Sequence, residues 1–159
     1  MSKSTTLSTL VATATQCPCE EREDFIPSMV ANDVCTIISF ENAIYTVMEK
    51  LSQGQYSGGH WNFYTFPNGA KAMVFEDECI VEAFCETNGR QCNLSMTALS
   101  LAVNLYVLSH LSFSLVSTKS NVCLVVSDFF HRLRDALYDI AESDSDLAEE
   151  VRQIFYLLD

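Results

Sequence analysis

Basic side chains are scarce in this sequence: 9 Lys and Arg stand against 21 Asp and Glu over 159 residues, a formal net charge of −12. Nucleic-acid binders bring clustered Lys and Arg to displace counterions from phosphates, so direct binding to DNA or RNA is not expected. An acidic surface suits basic partners such as DNA-handling proteins, or serves solubility alone. Charged residues make up 19% and hydrophobic ones 48%, a globular mix rather than a disordered one. The length argues for a single domain, able to bury a full core without a metal or disulfide staple.

A disulfide framework and a zinc knuckle are both missing. The seven cysteines, Cys17, Cys19, Cys35, Cys79, Cys85, Cys92 and Cys123, are odd in number and irregularly spaced, unlike a secreted scaffold. Cys17-Pro18-Cys19 has no second close pair to complete four ligands, so no metal is expected. Reduced thiols in a cytoplasmic protein, several packed as small apolar side chains, account for them. Histidine is limited to His60, His110 and His131, and none has a nucleophile-elbow or papain-like context. His110 lies in an apolar helix and reads as a hydrogen-bonded core histidine. His131 flanks an amphipathic helix and reads as solvent-facing.

Export signals are lacking too. Residues 1–16 hold one basic residue and a short apolar stretch broken by Ser and Thr, and Gln16 stands where a lipoprotein signal needs a small residue. Residues 1–19 are expected as a flexible tail and 20–159 as the folded domain. The segment 96–116 is free of formal charge and long enough to cross a bilayer. It contains Asn104, His110 and several serines and lacks a flanking basic cluster, which favours a buried central helix over a membrane span.

What is present is a change of period along the chain. An acidic stretch, Glu20-Glu21-Arg22-Glu23-Asp24, leads to Phe25-Ile26-Pro27. Apolar residues Phe40, Ile44, Val47, Met48 and Leu51 predict a helix over 40–52, with Ser39 as N-cap. Aromatic-rich 61–66, the turn Pro67-Asn68-Gly69 and 72–75 predict a hairpin; 80–86 and 91–94, joined by Asn88-Gly89, predict a second. Ser95 is placed to cap the apolar helix. Val122, Val126, Phe129, Leu133, Leu137 and Ile140 form one stripe over 121–141, with Asp128 set to pair with Arg132 on the other face. A polar break at Ser143-Asp144-Ser145 precedes a last helix carrying Leu147, Val151, Ile154 and Leu158. The expected class is α+β: a small antiparallel sheet of three or four strands packed with about four helices in a single domain.

Two features invite chemistry. The loop Tyr56-Ser57-Gly58-Gly59-His60 is glycine-rich, but it precedes a strand and has no lysine, unlike a phosphate-cradling loop. Its bland role is to let the backbone turn sharply beneath a neighbouring element. An enzyme using this loop with His60 as base, or a small cytosolic adaptor, are alternative functions. Acids cluster at Glu20–Asp24, at Glu76–Glu86 and at Asp139, Glu142, Asp144, Asp146, Glu149 and Glu150. Such a surface is either simply solvated or imitates duplex DNA, which carries about one charge per 1.7 Å of axis.

The block Tyr56-Ser57-Gly58-Gly59-His60-Trp61-Asn62-Phe63-Tyr64, followed by Asn68-Gly69, resembles the signature of the ArdB/KlcA antirestriction family. Arg22, Phe25 and Pro27, the apolar helix ending in Ser109-His110, the block Arg132-Leu133-Arg134-Asp135, and the closing Leu158-Asp159 are similar to the same family in the same order. The family's members are small proteins of bacterial plasmids and other mobile elements. The resemblance implies an inhibitor of host type I restriction–modification enzymes that protects incoming DNA. It implies no catalytic residues, no cofactor and a compact α+β fold. The partner would be the type I enzyme or an associated DNA-processing factor, engaged directly or indirectly. Strand alternation makes Tyr56, Ser57 and Asn62 the expected exposed interaction residues. Gly58, Gly59, Trp61, Asn68 and Gly69 would be structural. A second candidate surface is acidic: Asp139, Glu142, Asp144, Asp146 and Asp159.

Overall fold

The apolar, charge-free segment becomes the helix around which everything else is assembled. In the computed structural model, which describes residues 13–143 and 147–159, it is α3, Met96–Leu115. Ser95 caps it as expected: its Oγ accepts from the Ala98 N–H at 3.1 Å and donates to Glu150 Oε1 at 2.5 Å. Helices α2 (Val34–Leu51), α4 (Ser120–Ala141) and α5 (Ala148–Leu158) pack around it. Its hydrophobicity is thus used inside the protein, where Leu99, Leu101, Ala102 and Leu108 are fully enclosed.

Helix α2 begins earlier than Ser39. Asp33 is the N-cap, accepting from the Thr36 N–H at 3.0 Å, and it outcompetes Ser39 because the buried stripe already starts at Thr36. A short helix α1, Arg22–Met29, takes up the acidic stretch, for which no helix is expected; it contains Pro27 and buries Phe25, Ile26 and Met29. The stripe of α4 is Val122, Val126, Leu133 and Leu137, while Phe129 and Ile140 are half-buried. Arg132 and Asp128 form the expected pair at 2.9 Å. With α1, the described helices number five.

The strands divide into two sheets instead of one. Strands β1 (Thr15–Gln16), β2 (Asn62–Thr65) and β3 (Lys71–Val74) form an antiparallel sheet in that order, and β4 (Ile80–Cys85) pairs with β5 (Arg90–Ser95). Thr15–Gln16 therefore belongs to the structured chain although it falls in the expected tail. The physical reason for the division is on α3. Asn104 Oδ1 accepts from the Met73 N–H, Ser100 Oγ from the Phe75 N–H and Thr97 Oγ1 from the Asp77 N–H, at 3.0, 3.1 and 3.0 Å. Helical spacing on one side meets every second residue on the other, so the outer edge of β3 is satisfied by a helix.

His110 is not a core residue. It is exposed, with Nδ1 donating to the Tyr106 carbonyl at 2.9 Å and its ring stacked on Tyr106. The last turns of α3 emerge from the core, which apolar content alone does not reveal. His131 is exposed, as read. All seven cysteines are free, and only Cys85 is fully buried.

Candidate functional site

After α2 the chain reverses at Gly54 and returns over its own helix end, where the Tyr56 N–H donates to Ser52 Oγ at 3.0 Å. This turn carries Tyr56 inward. Only 8% of Tyr56 is exposed, which corrects its expected place on the surface. Its hydroxyl accepts from Trp61 Nε1 at 3.0 Å, and its ring meets Trp61 and Phe75 edge-on at 5.7 and 5.3 Å. Alternation failed here because Tyr56 precedes the strand and sits in a loop, where period 2 has no force.

Segment 57–60 bridges this aromatic cluster and is exposed. Gly59 lies on the Phe75 ring with φ +148°: an added Cβ would stand 2.5 Å from Cε1. Gly58, φ +111°, faces open space. At the hairpin tip, Asn68 Oδ1 accepts from the Ala70 N–H and Nδ2 donates to the Arg132 carbonyl at 2.8 Å. Gly69, φ +88°, lies against the Arg132 guanidinium.

Trp61, just before β2, and Phe63 on it are buried; Phe63 stacks on Phe25 at 4.7 Å under the Arg22 guanidinium. The alternate residues build a polar cluster on the other face. Asn62 Nδ2 and the Tyr64 hydroxyl both donate to Glu76 Oε1 at 2.7 Å. Asn62 Oδ1 accepts from Gln16 Nε2 and from His60 Nε2, each at 3.1 Å. Burial pushes the Tyr64 phenol up to about 12, reinforced by its hydrogen bond to Glu76, so it stays a neutral donor. His60 meets an amide and no nucleophile among the described residues. The cluster therefore offers a fixed hydrogen-bonding surface rather than a nucleophile–base pair.

Sequence reasoning placed Asn62 here but missed Tyr64 and Glu76. The signal was parity: Asn62 pairs with Val74 across the hairpin, which sets Glu76 on the same face. Ser57 is exposed beside this segment. The described acidic candidates fall at two places. Asp139 and Glu142 are exposed at the C-terminal end of α4, whereas Asp159 follows the far end of α5. Asp144 and Asp146 lie outside the described residues. No group of three metal-ligating side chains is assembled among the described residues.

The fold has a close counterpart in the solved KlcA and ArdB proteins, with a TM-score of 0.72 at 22% identity, covering 92% of this chain and 94% of that one. Those proteins have been described as a novel fold with antirestriction activity against type I DNA restriction systems in vivo but not in vitro. The uncharacterized protein YafX of Escherichia coli (strain K12) is 30% identical over 125 residues, 77% of each chain. The model of the antirestriction protein family matches residues 54–148, a span that opens at the Gly54 turn and takes in the bridge over the aromatic cluster, both hairpins, α3 and α4. This chain belongs to the antirestriction protein family.

Proposed function

We propose that this protein acts in the bacterial cytoplasm to blunt type I restriction of incoming plasmid or phage DNA, and that it does so without catalysis. The observation that carries this is the family match over 54–148, together with a fold shared with KlcA and ArdB. The site chemistry agrees: a carboxylate, an amide, a phenol and an imidazole are tied to one another in place. That suits recognition of a partner, either the restriction enzyme or a DNA-processing factor associated with it.

Action through such a cellular factor is favoured over imitation of DNA. The acids of this chain are spread over several elements, at 20–24, 76–86 and 139–150, too thinly to track a duplex. The activity of KlcA and ArdB in vivo but not in vitro points the same way. The recognition surface is Ser57 with His60, Asn62 and Glu76, the Glu76 carboxylate held in place by the buried Tyr64 hydroxyl.

Expression in a strain with an active type I system should raise the plating efficiency of unmodified phage, and soluble protein without that effect would overturn the proposal. With purified endonuclease, cleavage should continue unhindered. Tight binding that weakens steeply with salt would instead establish charge mimicry.

A further inference from the structure

Three of the segments that carry the family resemblance meet at a cavity that the surface above does not use. Ser109-His110 of α3, Arg134 of α4 and Leu158-Asp159 at the end of α5 all line a space of about 310 Å³. It shares no residue with the His60–Glu76 cluster. The volume lies at the small end of ligand sites, about 300–1,000 Å³.

The walls are flat. Tyr106 and His110 stack at 4.1 Å and 19°, and Tyr138 and Phe155 at 4.2 Å and 8°. Aromatic faces of this kind accept a planar guest by offset stacking. The polar groups narrow the choice. The Arg134 guanidinium rests over Phe130 and Tyr138 at 5.8 and 5.9 Å. Its Nε is buried and has no hydrogen-bond partner among the described residues. The Asp135 carboxylate faces a different nitrogen, Nη2, at 3.7 Å, too long for a hydrogen bond. With Nε closed off, the Nη groups of this 39% exposed side chain are the donors open to an acceptor in the space.

Asp159 lines the same space and offers only acceptor oxygens. A bare anion would be repelled by Asp159 and a bare cation by Arg134. A neutral ring bearing both acceptors and donors satisfies the two together. His110 spends Nδ1–H on the Tyr106 carbonyl, which leaves Nε2 as an acceptor in the neutral ring.

We propose that this cavity binds a neutral planar heterocycle of the guanine type, its acceptors toward Arg134 and its N–H donors toward Asp159. Arginine pairs with O6 and N7 of guanine, and carboxylates accept from base amino groups. A net charge of −12 opposes phosphorylated strands, so the ligand is a free base or nucleoside. This site stands independently of the antirestriction reading.

The test is calorimetric titration of the full-length protein with guanosine, adenosine, guanosine monophosphate and a guanine-containing single-stranded oligonucleotide. Guanosine should bind saturably, adenosine about tenfold or more weaker, and the monophosphate weaker than guanosine. Arg134→Gln should weaken guanosine by a similar factor. Because that change also removes two cation–π contacts, Ser109→Trp supplies a second variant, filling the cavity while keeping Arg134. Thermal melting confirms that each variant is folded. Absence of guanosine binding to the unmodified protein, or undiminished binding by a folded variant of either kind, would overturn the proposal. Tighter binding of the oligonucleotide than of guanosine would overturn the ligand class.

Discussion

The Asn104 side chain holds both main-chain polar groups of Met73, accepting from its N–H at 3.0 Å and donating to its carbonyl at 2.7 Å. Asn104 and Met73 are both fully buried, so no water replaces these bonds. Asn104→Leu should cost about 2–4 kcal/mol, since two buried main-chain groups lose their partners. Urea unfolding measures this as a lower midpoint at unchanged slope. A loss under about 0.5 kcal/mol would show that the strand edge finds another partner.

Tyr56→Phe removes the acceptor of Trp61 Nε1 and keeps the ring contacts. The expected cost is about 1–2 kcal/mol. Trp61 is the only tryptophan, so its emission reports the change directly. Tyr56→Ala should destabilise further by emptying the space between Trp61 and Phe75. Any activity lost in that variant would reflect the fold.

Gly59→Ala forces a Cβ onto the Phe75 ring at a positive φ, whereas Gly58→Ala meets only the backbone strain. Both should lower the melting temperature, Gly59→Ala by the larger amount, with strain of about 1–3 kcal/mol at each position. Equal shifts would mean that the ring moves aside freely.

Asp33 caps α2 and bonds Lys119 at 2.8 Å. The hydrogen bonds from Lys119 and then Thr36 lower its carboxyl from 3.8 to about 2. A depressed folded value means that the contribution to stability is complete above the unfolded value and is lost as pH falls toward 2. Lys119 is raised by the same bond, so its contribution fades only as pH climbs through its folded value. Asp33→Asn retains a capping oxygen without the charge. Stability of the two proteins should differ at neutral pH and converge in acid. A gap that stays constant down to pH 2 would exclude the ion pair as its cause.

Neutralising Asp139, Glu142 and Asp159 together should leave the melting temperature and phage protection unchanged, because all three are exposed. Asn62→Ala with Glu76→Gln should reduce protection while the protein stays folded. The reverse pattern would transfer the working surface to the acids.

Much of this was legible where a signal is local. Ser95 announced its helix, Asn68-Gly69 and Asn88-Gly89 announced their hairpins, and the stripe of α4 is visible in its spacing. Helix α1 was hidden because Pro27 breaks the pattern and its eight residues are scarcely amphipathic. Strand β1 was hidden because its two residues owe their conformation to Tyr64 and Thr65, far along the chain. The polar cluster was half legible: Asn62 from alternation, Glu76 only once the hairpin register is known. Thr97, Ser100 and Asn104 look like interruptions of an apolar helix until the strand they serve is in view.

That arrangement also governs what can approach the three-stranded sheet. One rim of β3 is occupied by α3, and the other outer strand offers only Thr15–Gln16. Among the described residues, an incoming strand finds almost no free ladder to extend, which disfavours pairing by augmentation at this sheet. Whatever meets it must read side chains, which places specificity in single residues open to exchange one at a time.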